Sequence, residues 1–121
     1  MRAFILIPIM AMSFIASTAS AAEYLRDYAQ VHALLNASRL EGVYLRTNTP
    51  YSLSFLIDGT VVNQKGERGR WWVNQQGQYC RVWATGRLKG NLACLDLTRE
   101  GEKIAIFSME KKVAEGVLIH D

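Results

Sequence analysis

The densest chemistry in the sequence lies between residues 68 and 89, which hold Arg68, Arg70, Trp71, Trp72, Tyr79, Arg81, Trp83, Arg87 and Lys89. Aromatic rings supply rigid contact area, and a guanidinium pairs with carboxylates or stacks on a ring, so these residue types suit recognition better than turnover. On paired strands, alternation places Arg70 and Trp72 on one face and Tyr79, Arg81 and Trp83 on a face of the neighbour. Arg70, Trp72, Arg81 and Trp83 are therefore the candidate binding residues. Trp72 is expected to be exposed, because Trp71 takes the same face as Val73. The competing reading makes Trp71, Tyr79 and Trp83 the core of a small sheet, with arginine stems lying over it.

Other reactive side chains are scattered. His32 and His120 have no Cys, Asp or Glu beside them at a ligand spacing, so no metal site is expected, because such sites need three or four converging ligands. Glu100 and Glu102 fall in a turn and read as solvated loop charge rather than as an acid/base pair. Ser52, Ser54 and Ser108 lack the Gly-x-Ser-x-Gly setting of an activated nucleophile. The glycines punctuate strands instead of clustering before a helix, which argues against a phosphate loop. No enzyme and no cofactor are expected from this inventory.

Cys80 and Cys94 are the only cysteines, and their midpoint falls at Arg87, inside the turn Thr85 to Gly90 between two expected strands. The two thiols then face each other on antiparallel neighbours, where a bridge needs little distortion if the registers agree. A disulfide is expected, with reduced buried thiols as the alternative. No Cys-x-x-Cys spacing points to redox catalysis.

These residues must be positioned by strands. From Val43 onward, short runs rich in Val, Ile, Leu, Tyr, Trp and Thr alternate with turn residues at Asn48-Thr49-Pro50, Asp58-Gly59, Lys65-Gly66, Gln76-Gly77, Lys89-Gly90 and Glu100-Gly101. That punctuation predicts an antiparallel meander. Leu53, Phe55 and Ile57 alternate with polar neighbours, and Asp58-Gly59 reads as a two-residue hairpin loop into Thr60-Val61-Val62. Leu92 to Leu97 pairs with Ile104 to Phe107, and Val113 to Ile119 reads as a closing strand. Before the strands, the spacing of Leu25, Tyr28, Ala29, His32 and Leu35 predicts one amphipathic helix of about three turns over 23–38, ending near Gly42. The expected class is α+β, mainly β: an N-terminal helix, then seven or eight antiparallel strands as a meander sheet or small barrel.

The opening stretch reads as an address. Arg2, an apolar run from Ala3 to Ile15 and small residues at Ala19-Ser20-Ala21 make a secretory signal peptide over 1–22, with an uncleaved membrane helix as the alternative. The expected product is one domain, 23–121, periplasmic or secreted, with no stable membrane span after cleavage. Of 121 residues, 14 are Lys or Arg and 11 are Asp or Glu, which leaves too little net charge to argue for nucleic acid as a partner. Charge is uneven along the chain all the same, because 65–89 carries six basic residues against Glu67.

Phe55-Leu56-Ile57-Asp58-Gly59-Thr60, Gly69-Arg70-Trp71-Trp72-Val73, Gly77-Gln78-Tyr79-Cys80-Arg81-Val82-Trp83 and Cys94 together make a pattern. It resembles a group of small exported proteobacterial domains of unknown function, with Leu34-Leu35-Asn36 and Leu40-Glu41-Gly42 similar to the segment that precedes their sheet. The resemblance implies a compact β-rich periplasmic domain and carries no site residues with it. Two functional expectations follow from the residues. One is a non-enzymatic module that binds a protein or envelope component through the Arg70, Trp72 and Arg81 region. The other is a lipocalin-like carrier, with Trp71, Tyr79 and Trp83 lining a pocket for a small apolar ligand.

Overall fold

The structure, a computed structural model, describes residues 23–120. The expected signal peptide and Asp121 lie outside the described residues. A short helix, α1 (Tyr28–Leu35), precedes eight strands: β1 (Ser38–Tyr44), β2 (Thr49–Phe55), β3 (Thr60–Asn63), β4 (Arg68–Val73), β5 (Tyr79–Trp83), β6 (Leu92–Glu100), β7 (Lys103–Ser108) and β8 (Lys111–His120). Each strand pairs antiparallel with the next, and β8 pairs with β1 from Ser38↔His120 to Tyr44↔Ala114, closing the sheet into a barrel. Of the two forms expected, the barrel is the one adopted.

Closure needs strong local coiling, which a strand achieves most cheaply where side chains are absent. Gly42 and Gly116 face each other across the β1–β8 seam. A Cβ on Gly42 would run into the Glu115 carbonyl and the Gly116 backbone, and one on Gly116 would lie 2.8 Å from the Gly42 Cα. The two strands pass there at a distance only glycine permits.

The hairpins differ from the two-residue loop expected at Asp58-Gly59. Gly59 N–H donates to the Leu56 carbonyl (3.0 Å) and Leu56 N–H to the Thr60 carbonyl (2.8 Å), so the loop has three residues and ends on a left-handed glycine at φ 88°. Asp58 is spared a positive φ, and its carboxylate instead accepts from Thr60 N–H at 2.9 Å. The pattern recurs at Asn63 to Glu67 and Asn74 to Gln78, a type I turn followed by a one-residue bulge each time. Ile57, expected to extend β2, sits on the first of these loops and is exposed.

The helix is shorter than its periodicity predicts. Asp27 caps it by accepting from Ala29 N–H at 3.0 Å, and Ala37 leaves it in a left-handed conformation at φ 58°. Residues 23–26 are used differently. Past Leu95, β6 has no pairing with β5, and Leu25 N–H donates to the free Leu97 carbonyl at 2.8 Å. Arg26 then crosses the β4–β5 turn, close enough to Gly77 that a Cβ there would lie 2.6 Å from the Arg26 Cα. Leu40 and Gly42, read as the end of the helical segment, belong to β1.

The core is the barrel interior. All eight strands contribute to it, among them Leu40, Phe55, Val61, Trp71, Tyr79, Leu97, Ile106 and Leu118, and α1 adds Val31 and Leu35 from one end. Among the described residues no helix is long and apolar enough to cross a membrane.

Candidate functional site

Strand β4 alternates cleanly. Gly69, Trp71 and Val73 are buried, while Arg68, Arg70 and Trp72 face outward, with Trp72 38% exposed. Register then builds a surface around Trp72. Trp72 pairs with Cys80, which pairs with Cys94; alongside, Arg70 pairs with Val82 and Val82 with Leu92. Two outward rows result, Trp72 beside the disulfide and Arg70 beside Val82 and Leu92. Leu92 is 60% exposed, so the face joins apolar area to the exposed Arg68 and Arg70.

The disulfide is present. Cys80 and Cys94 are directly opposed with Cα atoms 4.0 Å apart, so the bridge ties β5 to β6 across an existing rung. It lies beneath the Trp72 surface and fixes two of its three strands.

Arg81 and Trp83 do not share that surface. Both alternate with Cys80 and Val82, and Trp83 is buried in the core with Tyr79. The Arg81 guanidinium donates to the Asn91 carbonyl (3.1 Å) and side-chain oxygen (2.9 Å) and lies 5.9 Å from the Trp83 ring centroid. Its bonds hold the β5–β6 connection against the barrel mouth. The four candidate residues therefore divide into an outer pair, Arg70 and Trp72, and an inner pair, Arg81 and Trp83.

Inside, an aromatic chain runs from the helix into the core. Tyr28 stacks on His32 at 5.9 Å, His32 on Trp71 at 5.4 Å, Trp71 meets Phe55 edge-on at 5.4 Å, and Phe55 meets Tyr79 at 5.2 Å. Trp71 also donates from its indole nitrogen to the Leu56 carbonyl at 3.0 Å. His32 is thus a packing residue, and the second histidine is a tie: a ring nitrogen of His120 lies 2.9 Å from the Leu34 carbonyl. Among the described residues the buried Tyr79 hydroxyl has no hydrogen-bond partner. Burial pushes Tyr79 well above the usual tyrosine range and Tyr51 up to about 12, with Arg81 opposing the shift in both cases.

Among the described residues no group of three or more His, Cys, Asp or Glu gathers as a metal site. Two grooves indent the outside, one of about 210 Å³ over Thr98, Lys103 and Phe107, and one of about 310 Å³ beside Glu41, Pro50 and Gln64. The second lies where β2 outruns β3: pairing stops at Leu53↔Asn63, and the Ser52 N–H turns to the Gln64 side chain at 3.3 Å. Pro50, two residues earlier, offers no N–H, so this edge is blunted against further strand pairing. Comparison with protein-family models, curated proteins and solved structures gives no match to the chain.

Proposed function

We propose that the chain is an exported, non-enzymatic barrel module that binds a protein or envelope component through the outer face of β4, β5 and β6. One observation carries this reading: the interior is occupied by the chain's own side chains, and the exposed Trp72 stands outside beside Arg70 on a disulfide-braced wall. An exposed tryptophan flanked by arginines is the composition of interaction hot spots. The leader expected over 1–22 and the disulfide both fit an oxidising compartment outside the cytoplasm. A photoreactive residue placed at position 72 should give a discrete adduct in cells that disappears with Arg70→Glu. The same probe at position 117, on the opposite wall, should give none. Equal adducts at both positions, or an adduct indifferent to Arg70→Glu, would remove this face from consideration.

A second reading, a small apolar-ligand carrier, is favoured by the unpartnered Tyr79 hydroxyl within the barrel. A guest with one hydrogen-bonding group would satisfy it. Titration with a panel of apolar acids and alcohols, followed by the fluorescence of the buried Trp71 and Trp83, decides the matter: saturable quenching supports a carrier, and an unresponsive spectrum rejects it.

A further inference from the structure

The two ends of the barrel are unlike. At one end lie α1, residues 23–27 and the β2–β3, β4–β5 and β6–β7 connections, which carry Glu23, Asp27, Asp58 and Glu102 against Arg26. At the other lie the β1–β2, β3–β4, β5–β6 and β7–β8 connections, where Arg46, Lys65, Arg87 and Lys89 outnumber Glu67 and Glu110. The Glu67 carboxylate there is already engaged, accepting from the Asn63 side chain at 2.9 Å and from Arg87 N–H at 3.2 Å.

This basic end also presents bare apolar tips. Leu45 on β1–β2, Leu88 on β5–β6 and Met109 on β7–β8 are 37%, 52% and 94% exposed. Basic neighbours flank two of them directly: Arg46 follows Leu45, and Arg87 and Lys89 bracket Leu88. Met109 is held out by a two-residue loop in which both Met109 (φ 49°) and Glu110 (φ 69°) are left-handed, a conformation that normally selects Asn and Gly. A long apolar side chain kept in so unfavourable a setting points to a use for it. The connections are also tied together: Arg68 N–H donates to Thr85 Oγ1 at 2.9 Å and Leu45 N–H to the Val113 carbonyl at 2.9 Å.

We propose that this end of the barrel, with Leu45, Leu88 and Met109 at its tips among Arg46, Arg87 and Lys89, is a docking face for an anionic bilayer surface. Apolar tips dip into the headgroup boundary while the cations meet lipid phosphates, and each contribution strengthens the other. The exposed apolar groups sit on three separate loops, two of them directly beside cations, an arrangement in which each tip can enter the headgroup boundary on its own. Trp72 lies toward the other end of β4, whereas Arg68 and Leu92, at the near ends of β4 and β6, border this face.

Co-sedimentation with vesicles tests it, using one preparation protocol and an intact-mass check of the N-terminus for every variant. The chain should sediment with phosphatidylethanolamine–phosphatidylglycerol vesicles and remain in solution with pure phosphatidylcholine. Binding should weaken as salt rises from about 50 to about 500 mM. Leu88→Asp with Met109→Asp, and separately Arg87→Glu with Lys89→Glu, should each reduce partitioning by about tenfold or more. These side chains are exposed, so folding should persist; unchanged circular dichroism and an intact disulfide verify it, and Met109→Ser replaces any pair that fails. Trp72→Ala and Val117→Asp should bind vesicles like the parent, which separates this face from the β4–β6 wall. Absence of sedimentation by the parent, equal binding to neutral and anionic vesicles, or tip variants that bind like the parent would each overturn the proposal.

Discussion

Tyr51 and Tyr79 show how a single inward position sets a property of the whole fold. In the unfolded chain a phenol titrates near pH 10, whereas in the barrel Tyr51 titrates at about 12. The stability linked to this difference is complete below the unfolded value and is lost as pH rises through the folded one, because the unfolded chain gives up its protons first. Denaturant midpoints should therefore hold steady up to about pH 10 and fall between there and about 12, and Tyr51→Phe should flatten that fall. Tyr79→Phe should cost little or even stabilise, since the hydroxyl it removes has no partner; a loss above about 2 kcal/mol would show that the hydroxyl is bonded in solution. At this scale the sequence exposed part of the site. Alternation separates Trp72 from Trp71, and the structure agrees, because a β4 strand with both neighbours in place has only two faces. The same rule groups Arg81 with Tyr79 and Trp83 without saying which way that face points, and only the closing of the sheet turns it inside.

Among the elements, the β5–β6 pair is covalently fixed. Opening the 14-residue separation between Cys80 and Cys94 should cost about 3 kcal/mol in the chain-entropy picture, so a Cys80→Ala, Cys94→Ala protein should melt well below the oxidised parent. The β7–β8 loop should respond oppositely. Glu110→Gly relieves a left-handed backbone on a non-glycine residue and should raise stability by about 1 kcal/mol, measured by denaturant unfolding. Turn residues in the sequence located six of the seven strand connections, because Gly and Asn declare left-handed positions locally. Met109-Glu110 was invisible for the complementary reason: neither residue type advertises the conformation it adopts. The helix was read too long at both ends because Leu25 has the right spacing for a helical stripe, yet its backbone is claimed by the free Leu97 carbonyl, a bond no local pattern encodes.

For the whole molecule, the decisive feature is the glycine crossing in the β1–β8 seam. Gly116→Val should abolish the soluble monomer or leave it grossly destabilised, because a branched side chain meets the backbone of β1 rather than a movable neighbour. Urea unfolding and size-exclusion chromatography read the two outcomes; a monomer of parental stability would show that the strands part without penalty. Antiparallel order was legible in the sequence because each turn is local. Closure was not, because Ser38 and His120 lie at opposite ends of the strand series and nothing in either segment names the other. That same separation has a kinetic consequence. Every other ladder joins consecutive strands and can zip as soon as its turn forms, whereas the seam must wait until the remainder is wound far enough to bring its two margins together. Until that moment the chain carries two unpaired margins and an uncovered interior, so its vulnerability to misassociation is concentrated in the interval before the last ladder closes.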